Sequence, residues 1–145
     1  MRILVPVKNQ TDVFHDNMFK APLFAVYKID HIDPNVYCTC VDLISNPYSC
    51  QESLSQERFE NYGICDPAQC TMEHITEHYI LSHRMKSCDY VLADHFCDTM
   101  TKSLQEKGVN IYKISPFLHS THIAIINFIL GVSLASTLQH IHFRT

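Results

Sequence analysis

A chain of 145 residues is long enough to bury one core without disulfides or metal to hold it. With 46% apolar and 18% charged residues it is neither disordered nor low-complexity. A formal charge of −4 argues against a nucleic-acid binder, which needs clustered Lys and Arg for its phosphate contacts. The unusual feature is 7 Cys and 10 His beside only 3 Gly.

In chain order, Met1–Val7 reads as a first strand, a near-continuous apolar run of the kind found in buried central strands. Asn9–Lys20 is polar and predicts a loop. Leu23–Ile29 predicts a second strand, with Phe24 and Val26 on one face and Leu23, Ala25, Tyr27 and Ile29 on the other. Asp30–Asn35, with Pro34, is a turn, and Val36–Ile44 predicts a third strand hairpinned to the second. Ser45–Gln51 reads as loop, Ser53–Tyr62 as a short helix and Gly63–Pro67 as a break. Ala68–Met85 has helical character, with Met72, Ile75 and Tyr79 on one face. A fourth strand is expected over Asp89–Asp94, a helix over Asp98–Lys107 closed by Gly108, and a fifth strand over Val109–Ile114. A last helix is expected from Ser120 to about Gln139. No linker splits the chain, so residues 1–145 read as a single α/β domain with a mixed sheet.

The first residues lack the charged start, long apolar stretch and cleavage site of a signal peptide, which predicts a cytoplasmic protein with reduced thiols. Ile114–Phe143 contains no Asp, Glu, Lys or Arg, yet its dense apolar part, Ile123–Leu134, is shorter than a membrane span and is interrupted by Asn127, Gly131 and Ser133. A helix buried in the fold or at a subunit contact is expected, with no membrane partner.

Four segments carry a family resemblance: MRILVPVKN (1–9), KAPLFAVYKID (20–30), SCDYVLAD (87–94) and LQEKGVNIYKI (104–114). In order and spacing they resemble the dinitrogenase iron–molybdenum cofactor biosynthesis domain family. That resemblance implies a ribonuclease H-like three-layer fold, a mixed five-stranded sheet with helices on both faces. It also implies a small, non-catalytic, nitrogen fixation-related protein that handles an iron–sulfur or iron–molybdenum-type cluster. Nuclease activity is not expected, because Arg2–Lys8 carries no Asp or Glu for two-metal chemistry. The family's H-F-G-R-A-P loop falls on Asn17 to Pro22, putting Asn17 and Lys20 where its His and Arg stand. Its glycine-rich turn falls on Asp94–Asp98, so His95 and Cys97 replace glycines. Without glycine the backbone loses close approach to a ligand, and side-chain binding is expected instead.

Among the ligand candidates, Cys70, His74 and His78 are spaced i, i+4, i+8 and stack on one helix face, a metal-chelating arrangement. That face points away from Met72, Ile75 and Tyr79 and is expected to be solvent-accessible. His95 and Cys97 lie at the carboxyl end of the fourth strand, where open α/β sheets collect ligands, and a helix N-terminus stabilises a thiolate there. Cys38 and Cys40 share a strand face and read as buried thiols, and Cys88 as a core thiol. His15, His31, His140 and His142 read as solvated, and His119 and His122 as lying near the start of the last helix. No nucleophile elbow, P-loop or dinucleotide fingerprint is present, so no enzyme is expected.

The first expectation is thus a metal or metal–sulfur cofactor binder, with Cys70, His74, His78, His95 and Cys97 as ligands. Zinc is the alternative metal, and a structural zinc site is one form of it. The alternative function is an interaction domain that kept the fold, lost the cofactor and forms a homodimer through its apolar last helix.

Overall fold

The computed structural model describes residues 1–49 and 72–144. Cys50, Cys65 and Cys70, the helix expected at Ser53–Tyr62 and the break after it lie outside the described residues. Strand β1 (Arg2–Val7) is followed by a 3-10 turn at Met18–Lys20, then by β2 (Leu23–Ile32) and β3 (Asn35–Ser45). Helix α1 (Met72–Arg84), β4 (Tyr90–Ala93), α2 (Asp98–Glu106), β5 (Asn110–Lys113), α3 (Thr121–Gly131), a second 3-10 turn and β6 (Ile141–Arg144) complete the described chain.

The strands form one mixed sheet in the order β5-β4-β1-β2-β3-β6. β1 and β3 run antiparallel to β2, while β4 is parallel to β1, β5 to β4 and β6 to β3. β1 is central and buried on both faces, as its unbroken apolar sequence requires. The pleat sends Ile3, Val5, Val7, Ala25, Tyr27 and Ile29 to one face, where they meet Ala124, Ile125, Phe128 and Ile129 of α3. It sends Leu4, Phe24 and Val26 to the other, against Leu81 and Met85 at the end of α1 and Met100 and Leu104 of α2. Helices therefore cover both faces of a mixed α/β sheet.

Two differences from the sequence-based expectation share one cause. The sheet has six strands among the described residues rather than five, and the last helix stops at Gly131 rather than near Gln139. Val132 ends α3, and Ser133 follows with φ 61°. The chain then turns back, so that Ile141–Arg144 pairs with Val36–Thr39 on the open side of β3. No helix among the described residues is long and apolar enough to cross a membrane.

Candidate functional site

The site forms where the loop after β1 meets the carboxyl end of β4. The Met18 amide donates to the His95 carbonyl at 2.9 Å, and Asn17 and His95 form an isolated parallel bridge. Asn17 also caps the 3-10 turn, its Oδ1 accepting from the Phe19 amide at 3.1 Å. Asn46, just past the end of β3, holds the turn, its Nδ2 donating to the Phe19 and Ala21 carbonyls at 2.7 and 2.8 Å. Lys20 Nζ lies 3.7 Å from Asp16 Oδ2. Asn17 and Lys20 thus help to build and fasten the loop.

On the side of the sheet covered by α1 and α2, Cys97 and His78 come together. Cys97 is the N-cap of α2, its Sγ accepting from the Met100 amide at 3.4 Å. His78 Nε2 lies 3.1 Å from that Sγ, and both residues are buried. His78 Nδ1 donates to the His74 carbonyl at 2.8 Å, which leaves Nε2 as the ring's basic nitrogen. Phe19 stacks on the His78 ring at 4.0 Å between centroids and 4° between planes, fixing its orientation. The His74 ring centroid lies 4.3 Å from that of His78. A thiol and a basic imidazole nitrogen at this distance can share a proton or ligate one soft or borderline metal ion.

This placement corrects one expectation. His74 and His78 are buried at 4% and 0% exposure, whereas Met72 is 77% exposed. The inward stripe of α1 is His74, Glu77, His78, Leu81 and Ser82. Imidazole rings packed on Phe19 take the place that aliphatic side chains usually hold, so apolar periodicity alone assigned the wrong face.

His95 and Cys97 differ in setting. The His95 side chain is largely exposed, with Nε2 3.7 Å from Asp94 Oδ2, whereas Cys97 packs into the core. Asp94 is itself buried, and the same Oδ2 accepts from His15 Nδ1 at 3.1 Å. His15 in turn meets the His119 ring edge to face, with centroids 5.4 Å apart. In the sequence His15 reads as a solvated loop residue and His119 as lying near the start of the last helix, and each is marked there just as a His flanking an apolar element.

The remaining thiols among the described residues sort by burial. Burial pushes the Cys38 thiol up to about 12, so it stays protonated and is a poor ligand. Cys88 is buried as expected. Cys40 is exposed, not buried. His142 bonds Asn35 Oδ1 at 3.0 Å across the β3–β6 edge, and His122 stacks on Phe143 at 3.9 Å. Among the described residues no three His, Cys, Asp or Glu side chains gather as a complete metal-ligand set.

No family model matches the chain, and no curated protein matches it. Solved structures do resemble it. One is an NMR structure of a Thermotoga protein with a provisional NifB name, of the DUF35 family; it is 17% identical, the match covers 90% of this chain and 88% of that one, and the TM-score is 0.52. Another is the crystal structure of PH0822, 13% identical, with 90% and 92% covered and a TM-score of 0.53. At these identities the likeness is one of fold: this chain shares a mixed α/β architecture with a protein bearing a nitrogen-fixation-related name.

Proposed function

We propose that the chain is a small, non-catalytic accessory protein of the cytoplasm that binds, carries or senses a metal ion or metal–sulfur cofactor. It belongs, on this reading, with the iron–molybdenum cofactor biosynthesis domains and their ribonuclease H-like fold. One observation carries the proposal: Cys97 Sγ and His78 Nε2 lie 3.1 Å apart at the N-terminus of α2, with His78 oriented by the His74 carbonyl. A backbone carbonyl on the second nitrogen is the usual support of a ligating histidine. One sulfur and one nitrogen suit zinc, iron or copper and not magnesium or calcium. The loops that meet here contain no glycine, so side chains would hold the group.

The test is metal analysis of untagged protein purified without oxygen. Bound metal near one equivalent is expected, falling at least tenfold in Cys97→Ser and His78→Ala. Metal content unchanged in both variants defeats the proposal. Metal-free protein whose Cys97 alkylates faster at neutral pH than the exposed Cys40 supports a thiol nucleophile with His78 as its base.

A second reading rests on α3, which leaves Ile123 and Leu130 49% and 38% exposed. These suit an interaction domain that pairs through that helix.

A further inference from the structure

The pair that Asp94 makes with His15 has no part in the proposal above. His15 Nδ1 donates to Asp94 Oδ2 at 3.1 Å, and the Asp94 side chain is 3% exposed. With Nδ1–H given to the carboxylate, Nε2 is the ring nitrogen left to bind an ion. That Nε2 is fully buried and has no hydrogen-bond partner. Buried polar atoms are rarely left so, and each one calls for a reason. The His15 ring lies edge to face with His119, centroids 5.4 Å apart and planes at 83°. Two imidazoles on one tetrahedral ion, with metal–nitrogen bonds of about 2.0–2.1 Å, place their ring centres about 5.2 Å apart. The observed 5.4 Å is close to that figure. A carboxylate bonded to the other nitrogen of a histidine is the outer support that raises ligand basicity and fixes the tautomer.

We propose that His15 and His119 form a second metal site, for a borderline divalent ion of the zinc class, with Asp94 as its outer-sphere carboxylate. Two nitrogens leave positions for water or an incoming ligand, so the site is exchangeable rather than structural. His95, exposed, lies 3.7 Å from the same carboxylate oxygen. The site has no thiolate, which separates it chemically from the Cys97–His78 pair.

Cobalt(II) titration of the untagged chain tests this. A nitrogen- and oxygen-ligated ion gives visible absorption without the near-ultraviolet sulfur-to-metal band that Cys97 would produce. The visible absorption is expected to persist in Cys97→Ser and to lose at least tenfold in affinity in His119→Ala. Asp94→Asn is expected to weaken binding by about 10–100-fold. His119 is exposed, so its replacement reports on binding even where the Asp94 variant does not fold. Titration of Cys97→Ser with no visible absorption, or with absorption unchanged by His119→Ala, overturns the proposal. Absorption that survives Cys97→Ser while the metal analysis of Cys97 and His78 fails separates the two sites.

Discussion

Asn46 shows how one side chain holds the site loop in place. It is 5% exposed; its amide donates to two carbonyls of the loop, and its Oδ1 accepts from the Tyr48 amide at 2.9 Å. Alanine there removes both bonds to the Phe19 and Ala21 carbonyls, and a lost bond in a buried setting costs about 1–3 kcal/mol. Asn46→Ala is expected to destabilise the fold by about 2–3 kcal/mol in urea unfolding, with Asn46→Asp at least as damaging because a carboxylate cannot donate. A loss below about 0.5 kcal/mol in both would mean that the loop holds without this clamp. The same loop presents Phe19 to His78, so the orientation of the candidate ligand depends on an asparagine that no metal-ligand pattern would select.

Two helix ends make the corresponding point for secondary structure. After α2, Gly108 has φ 75°, its amide bonds Gln105 O and the Val109 amide bonds Leu104 O. After α3, the Ser133 amide bonds Leu130 O and the Leu134 amide bonds Ile129 O, with Ser133 in the left-handed position. Both are Schellman closures, but only the first carries the glycine that announces one. A left-handed non-glycine residue costs about 1–2 kcal/mol, partly offset in a glycine by about 0.5–1 kcal/mol of chain entropy. Ser133→Gly is therefore expected to stabilise the protein by about 0.5–1 kcal/mol and Ser133→Val to lose about 1–2 kcal/mol, measured by thermal or denaturant unfolding. Equal stability of the three would show that α3 does not end in this way. Gly131 has its own reason: a Cβ there would lie 2.7 Å from the Tyr112 hydroxyl.

In the molecule as a whole, both candidate sites lie at the turn between β4 and α2. Cys97 joins the core shared with α1 and α2, while His119 lies two residues before the start of α3, which packs on the other face. The exposed side of α3 carries Ile123, Leu130 and, just beyond it, Val132. If this face pairs two copies, light scattering of the purified chain shows a dimer insensitive to chelators, and Ile123→Glu with Leu130→Glu shifts it to monomer. A monomer in the unaltered protein at high micromolar concentration excludes the interaction reading.

The sequence by itself determined the elements whose signals are local. Strand alternation around Phe24 and Tyr27, the apolar run of β1, and the glycine closure of α2 follow from nearest-neighbour sterics and side-chain periodicity. It also singled out His74, His78, His95 and Cys97 by residue type and place. What it could not determine is which of them meet. The His78–Cys97 pair joins residues 19 positions apart, and the His15–Asp94 pair residues 79 apart. Only the packing of α1 against Phe19 turned the histidine face inward, and only the turn at Ser133 released the chain to add β6. Those outcomes depend on long-range burial and hydrogen bonding, which local sequence does not encode.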